Sequence, residues 1–343
     1  MTVFLTMNKV LVTGATGRVG ANLVKRLLAD GYSVRSYVMP NDPKAAKLSQ
    51  FKVDVTVGDL TDPEPMIEAV SDVDAIVHSA AAMAGRIMPP GMTRSSFFDI
   101  NVKGTYNLLE AAKDRAERIE RFLFTSTDDT YPVIEAAYVP VDENHPQNPQ
   151  GLYGCTKLLC EKLCTHYRTG FGLPTTIVRL GSVKACDEIL NTLKLGNWIK
   201  WLRGWEVFKG VKQPWEPLEN LKANPNDYVI MTDPIGKPWR MHSTDVRDVV
   251  DGIMLALTSK AAEGDVFNIM GPSAYGFDEA VTYASKRTGI PYVTGRVQMH
   301  WNYEIDISKA RTVLGFAPRY DIHRMIDDAL AYGEGKDLGV IPA

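Results

Sequence analysis

No apolar run in this 343-residue chain approaches membrane-spanning length, which takes about 20 consecutive apolar residues. The N-terminal stretch MTVFLTMNKV lacks the basic start and the long apolar core of a secretion signal. Neither membrane insertion nor export is therefore expected, and the cytoplasm is the expected location. Cysteine is scarce: Cys155, Cys160, Cys164 and Cys186 form no CxxC pair and no Cys/His cluster with zinc spacing. A reduced, metal-free protein is the simplest reading. A strong charge of either sign is also missing, and a net charge of -3 makes nucleic acid an unexpected partner. Internal repeats and low-complexity tracts are absent as well. Met7 offers a second possible start, which would leave the first six residues as a disordered leader.

What is present is a regular alternation of two patterns. KVLVTG (9–14) is a short β-branched apolar run ending in glycine, and an amphipathic segment from Arg18 to Ala29 follows at once. This predicts strand, tight turn and helix. SVRSYV (33–38), VDVTV (53–57), DAIVHSA (74–80), RFLFTS (121–126) and TTIVRL (175–180) continue as predicted strands, with the longest helices of this half at 95–116 and 151–169. Such alternation predicts an α/β fold built on a doubly wound parallel sheet. From about residue 185 to Arg240 the pattern gives way to a Trp-, Pro- and Gly-rich stretch that reads as an insertion. The helix VRDVVDGIMLAL, the strand DVFNIMG (265–271) and helices near 277–288, 307–314 and 321–332 complete the chain.

TGATGRVG places Gly14, Gly17 and Gly20 where the first strand turns into the first helix. Gly14 permits the tight turn, Gly17 lets backbone N–H groups approach a pyrophosphate, and Gly20 allows close helix packing, while the helix dipole favours negative charge. A glycine triplet alone also suits an ordinary turn, and the strand-turn-helix setting is what favours a dinucleotide site. Thr16, Arg18 and Val19 of the same loop are expected cofactor contacts. The expected organisation is a dinucleotide-binding Rossmann domain over 7–184 and a smaller, mixed C-terminal substrate lobe over 185–343. Segments near 240–270 are expected to return to the first domain, and the length supports two lobes.

The GxxGxxG spacing resembles the short-chain dehydrogenase/reductase superfamily, and further matches narrow the resemblance to its extended branch, the NAD-dependent epimerase/dehydratase family. Asp59 of GDLTD matches the acidic residue after the third strand that touches the adenine, with Leu60 beside it. His78 to Ala82 of VHSAAA match the Ala-rich turn that follows the cofactor, with Ala80 and Ala81 as contacts, and Asn101 of DINVKGTYNLLEA opens the next long helix. Val183 of VRLGSVKAC is a further expected cofactor contact. YGCTK, Tyr153 to Lys157, falls about one strand and one loop after FTST, where the family's catalytic Tyr-x3-Lys belongs. Residues four apart are ordinary neighbours on a helix, and the same spacing recurs at Tyr332 and Lys336. Position in the family pattern therefore selects Tyr153. The resemblance covers the first 185 residues densely and the rest loosely, through STDVRDVVDGI and DISKARTVLGF.

The resemblance implies an enzyme, an NAD(P)-dependent oxidoreductase or epimerase. A phenol titrates at about 10 and is a poor base at neutral pH, and an adjacent ammonium stabilises its phenolate. Lys157 is expected to supply that charge and to hold the nicotinamide ribose. Thr127 is the expected hydrogen-bond donor to the substrate oxygen, with Ser126 as fallback and a loop-capping turn as the plainer role. Asp128 and Asp129 of TSTDDTY resemble the STDEVY signature of sugar-nucleotide 4,6-dehydratases, where two acids eliminate water. The second acid here is one methylene shorter, which matters for hydrogen-bond reach, and two aspartates also commonly start a turn.

Val38-Met39-Pro40 shows neither the acid of an NAD enzyme nor the arginine of an NADP enzyme at the end of the second strand. Asp42 lies close and Arg35 is on the strand, and NAD is favoured over NADP. All six tryptophans fall between Trp198 and Trp301, suited to stacking on sugars or to packing. Family members acting on sugar nucleotides clamp a diphosphate with two arginines. Arg296, ten residues before Asp306 of DISKA, matches one; the other falls near Pro238, leaving Lys237 or Arg240. VRLGSVKAC also departs from the family's R-x-x-x-V-Y-G-P, with Lys184 and Ala185 where Tyr-Gly is usual. Free sugars, sugar acids and other polyol-like ketones remain open as substrates.

The expected function is hydride transfer at a secondary alcohol or ketone of a sugar or sugar-nucleotide-like small molecule, of epimerase/dehydratase type. A dehydrogenase or carbonyl reductase that releases its cofactor each turnover is the alternative. A regulatory dinucleotide-binding protein is the third reading, but it would normally lack the Tyr/Lys pair. The two longest helices of the first half match the pairing by which the family forms homodimers.

Overall fold

Runs of β-branched and aliphatic residues, buried on both faces, build the centre of the molecule. The computed structural model describes residues 5, 7–83, 91–132, 134, 136–204, 207–208 and 211–343. The leader expected at 1–6 therefore lies outside the described residues except for Leu5, as does Trp205. Seven strands form the central sheet: β1 (Lys9–Thr13), β2 (Ser33–Val38), β3 (Asp54–Val57), β4 (Ala75–His78), β5 (Arg121–Thr127), β6 (Thr175–Leu180) and β7 (Val266–Ile269). Their order is β7-β6-β5-β4-β1-β2-β3, and every pairing is parallel. The α/β, doubly wound expectation is met. Consecutive residues of a strand face opposite sides: Val10 and Val12 join one core cluster, while Leu11 joins the other.

Among the described residues the α-helices longer than four residues are α1 (Arg18–Ala29), α2 (Glu64–Ala69), α3 (Arg94–Phe98), α4 (Gly104–Lys113), α5 (Leu152–Phe171), α6 (Leu195–Arg203), α7 (Val246–Thr258), α8 (Phe277–Thr288) and α9 (Ile322–Gly333). Buried residues of α1 and α7 lie in the first cluster; those of α2, α4 and α5 lie in the second. The chain order thus reverses between β1 and β4, and in such sheets ligands bind at the carboxyl ends beside that switch.

The helix expected at 95–116 is interrupted by a π-helical turn at Asp99–Lys103 and ends at Lys113. The turn carries Asn101, whose buried side chain spans two other segments; π turns inside helices often accommodate such local demands. Beyond β6, the Trp-rich stretch folds as short elements, and a parallel pair, Tyr228–Thr232 with Tyr292–Arg296, forms a separate small sheet. β7 then pairs with β6, Val266 opposite Ile177. No helix among the described residues is long and apolar enough to cross a membrane.

Candidate active site

At the carboxyl edge of the sheet lies a cavity of about 1240 Å³. Its glycine loop is fixed by close backbone approaches. Gly14 has φ +68, and a Cβ there would lie 2.7 Å from the backbone nitrogen of Ala80; at Gly20 a Cβ would lie 2.0 Å from the carbonyl oxygen of Gly14. Neither position can carry a side chain without moving the loop. At Gly17 a Cβ would meet only the Gly14 carbonyl, at 3.2 Å. Gly17 caps α1 without a side-chain hydrogen bond, so the first amides of this helix are available to an anion. This bare cradle fits a pyrophosphate.

Gly14, Thr16, Gly17, Arg18, Val19, Gly20, Asp59, Leu60, Ala80, Ala81 and Val183 all line the cavity. Arg18 is held by Glu188 through a two-pronged ion pair. Thr16 donates a hydrogen bond of 2.6 Å to Asp42, whose other oxygen accepts from the Lys44 amide at 2.8 Å. Asp42 also lines the cavity, so an acid does stand at the second-strand side of the mouth, four residues past the end of β2. Asp59 accepts from the amide and hydroxyl of Thr61. His78 bridges Thr13 at 2.7 Å and Thr105 at 2.9 Å. Burial, then the Lys157 charge, lowers it to about 3, so it is a neutral strut.

Asn101 is the one cofactor-contact expectation that does not line the cavity. Its side chain holds the amide and carbonyl of Ala82 at 2.7 and 3.1 Å and reaches Thr156 on α5 at 3.1 Å. The residue therefore ties the Ala-rich turn to the helix of YGCTK, a supporting role that its burial imposes.

Tyr153, Lys157, Thr127, Asp128 and Asp129 line the same cavity as the glycine loop. Gly154 makes this possible: a Cβ there would lie 2.0 Å from the carbonyl oxygen of Asp129, so only glycine lets α5 start against the turn that follows β5. Thr156 accepts from Asn101 and donates to the Tyr153 carbonyl at 2.8 Å. The Lys157 ammonium lies 4.3 Å from the Phe124 ring centroid, and burial lowers it to about 8. The Tyr153 phenol is pushed well above its ordinary range, first by burial and then by Asp129 and Asp128. In the protein alone burial and the two acids, not Lys157, set this phenol.

Thr127 donates to Asp128 at 3.0 Å and accepts from the Asp129 amide at 3.2 Å. The turn-capping role foreseen for it is thus real. Tyr303 donates to the other oxygen of Asp128 at 2.8 Å, and burial together with Asp129 raises Asp128 to about 7. Ser126 instead donates its proton to Glu161. Glu161 forms a buried pair with Arg179, through bonds of 3.0 and 2.7 Å, and Arg179 reaches Tyr131 at 2.6 Å. This network lies beneath β5 and was not found from spacing, because nothing in a single sequence shows that an acid and an arginine are buried together. Lys184 also lines the cavity, and burial lowers its pKa.

Two substrate contacts expected from the resemblance lie elsewhere. Arg240 is not part of the cavity wall; it pairs with Glu304 at 3.0 Å, with a side chain 42% exposed. Arg296 ends an edge strand and is exposed, and its guanidinium lies beside the turn at Gly236. Arg296 sits on a strand whose alternation directs it outward, and Arg240 is held by Glu304; spacing from a distant motif reveals neither. Tyr332, the control for spacing, sits on α9 outside the cavity. Among the described residues no group of three His, Cys, Asp or Glu side chains could hold a metal.

Residues 10–191 match the NAD dependent epimerase/dehydratase family. The chain belongs to that family. A UDP-glucose 4-epimerase of Lactobacillus helveticus is 28% identical over 94% of this chain and 95% of its own. An L-arabinose 1-dehydrogenase (NAD(P)(+)) of Haloferax volcanii is 27% identical over 66% of this chain and 93% of its own. A short-chain dehydrogenase/reductase superfamily protein of Agrobacterium tumefaciens, crystallised with bound NAD, superposes with a TM-score of 0.83. It is 30% identical and covers 96% of this chain and 100% of its own. This member of the family is an NAD-dependent enzyme of the extended short-chain dehydrogenase/reductase type.

Proposed function

We propose that this enzyme moves hydride at a secondary alcohol or ketone of a sugar-like substrate, with Thr127, Tyr153 and Lys157 as the reacting set. The observation that carries the reading is that all three line one cavity with the glycine loop, at the sheet edge where such folds bind ligands. NAD would lie along Gly14 to Gly20, Asp59, Ala80, Ala81 and Val183, and its nicotinamide would supply hydride acceptance and return. Asp42, held by Thr16, would accept a hydrogen bond from the adenosine ribose and so favour NAD over NADP.

Tyr153 would hold the proton exchanged with the substrate oxygen, and Thr127, turning its one hydroxyl proton from Asp128 to that oxygen, would donate a second hydrogen bond. Its raised pKa keeps the phenol protonated, so Tyr153 is set to donate a proton to a ketone oxygen. For the reverse step Lys157 must offset the two aspartates. Asp128, raised to about 7, would carry a proton near neutral pH and could release it to a leaving hydroxyl, which supports the epimerase/dehydratase type. The alternative is a dehydrogenase or carbonyl reductase using the same three residues; the L-arabinose dehydrogenase relative is of that kind.

Denaturing the purified protein and quantifying released dinucleotide, followed by assay of reduced nicotinamide with a panel of sugars, separates the two. Stoichiometric bound NAD with no net NADH would exclude the simple dehydrogenase. Tyr153→Phe should stop turnover and leave NADH affinity near wild type, whereas Tyr332→Phe should change neither. Retained activity in the first variant would refute the assignment.

The division into a dinucleotide domain (7–184) and a substrate lobe (185–343, with 240–270 returning) is supported by β7 joining the main sheet. A homodimer is supported by exposed apolar residues along α3, α4 and α5: Phe98 (43%), Tyr106 (45%), Leu159 (41%) and Phe171 (47%). Light scattering tests it. The cytoplasm is the location proposed for such an enzyme.

A further inference from the structure

We propose that the substrate end of the cavity takes a phosphate-free sugar ring stacked against Trp201, and not a nucleoside diphosphate. This rests on the hydride-transfer reading for the place of the reacting carbon, but its support comes from the aromatic wall of the site. There α6 brings Trp198 and Trp201 against Trp301 and against Phe277 of α8. Ring centroids are 5.4 Å apart for Trp198 and Trp201, 5.3 Å for Trp201 and Trp301, and 5.3 Å for Trp198 and Phe277. All four rings line the cavity. Their orientation is fixed from behind: Trp198 donates to the Thr192 carbonyl at 2.7 Å, and Trp239, 5.1 Å from Trp301, donates to the Met299 carbonyl at 2.9 Å. Trp201 is the most accessible of the four, at 36% exposure.

Indole faces attract the C–H face of a pyranose, and they would stack a nucleobase as well. The phosphates decide between the two. Taking a diphosphate out of water without fixed cations is costly, and known solutions use paired, two-pronged arginines. Among the described residues the cations lining the cavity are Arg18, Arg94, Lys157 and Lys184. Arg18 is paired with Glu188 at the glycine loop, and Lys157 is part of the catalytic set. Lys184 is a single amine set among the charges of Glu188, Arg18 and Asp128. That leaves Arg94, which is exposed on α3 and is a single arm. Arg240 and Arg296 are turned away, as described above, and Arg203 at the end of α6 is tied to Glu219. Asn197 and Ser243 also line the cavity, and Tyr303 lines it where it meets Asp128; such polar groups suit ring hydroxyls.

The test is a titration of the NAD-loaded protein by intrinsic tryptophan fluorescence. The probes are methyl β-D-glucopyranoside, methyl β-D-galactopyranoside, D-xylose, D-glucuronate, UDP and UDP-glucose. Saturable quenching by at least one phosphate-free sugar is expected, with none by UDP. Trp201→Ala should weaken that sugar about tenfold and Trp201→Phe less, in line with the loss of one stacked ring, and NADH affinity should not move. Saturable binding of UDP, or quenching by none of the phosphate-free sugars, would overturn the proposal. The readout needs no turnover. Sugar binding without any hydride transfer by the wild type would sink the catalytic reading and leave this one standing.

Discussion

Asp42→Asn changes one oxygen for an amide at the mouth of the cofactor cavity, and the structure sets what should follow. In the wild type Thr16 donates to one carboxylate oxygen at 2.6 Å and the Lys44 amide donates to the other at 2.8 Å. Each oxygen has two lone pairs, so acceptor capacity remains for a ribose hydroxyl. In the variant the new amide nitrogen cannot face the Lys44 N–H, because two donors would oppose. It must face Thr16, whose hydroxyl can rotate to accept. The loop should therefore fold as before, while the charge is lost. A hydrogen bond to a charged group is worth about 1.5–3 kcal/mol, and this acid is only partly buried, so the low end applies. That corresponds to roughly tenfold weaker NADH binding, at about 1.4 kcal/mol per decade. NADPH should be unaffected or bind better, since its phosphate would no longer meet a carboxylate. Titrating the fluorescence of both reduced cofactors into wild type and variant measures the ratio. An unchanged NADH-to-NADPH preference would refute the role given to Asp42.

Gly154→Ala would place a Cβ 2.0 Å from the Asp129 carbonyl, so α5 or the 128–130 turn must retreat; overpacking of this kind costs about 1–3 kcal/mol. Calorimetry should show a Tm lower by several degrees, with turnover reduced more than stability. Gly170→Ala, on the same helix with no neighbour closer than 3.6 Å, should instead stabilise by about 0.5–1 kcal/mol, and equal effects at the two sites would contradict the packing argument. Asp128 supplies a pH test. Its pKa rises from 3.8 unfolded to about 7 folded, so in that window the folded chain holds a proton the unfolded chain has lost. Stability from this group is therefore lost as pH rises through the window. Asparagine cannot ionise, so the Tm of Asp128→Asn relative to wild type should climb between about pH 4 and pH 7 and then level off. A constant difference would show that Asp128 titrates normally.

The nucleotide-binding half was legible because its signals are local. Glycines at a strand-to-helix turn, and apolar runs buried on both faces, constrain the backbone whatever lies elsewhere, and β1, α1, β2 and β6 fall where the pattern predicts. Tyr153 and Lys157 were separable from Tyr332 and Lys336 only by their position after β5. Arg240 and Arg296 lie outside the cavity wall, and an offset from a motif says nothing about where a side chain is held. Glu161, Arg179 and Tyr303 went unseen for a related reason: their importance lies in burial and in partners 18, 48 or 175 residues away. The π turn at Asp99–Lys103 belongs to the same class, being imposed by what Asn101 must reach.

A crystal structure of the protein with NAD bound tests the central claim most directly. The account predicts the pyrophosphate on the first amides of α1 and the nicotinamide beside Tyr153 and Lys157, with Thr127 facing the same space. A nicotinamide lying away from these side chains would contradict it.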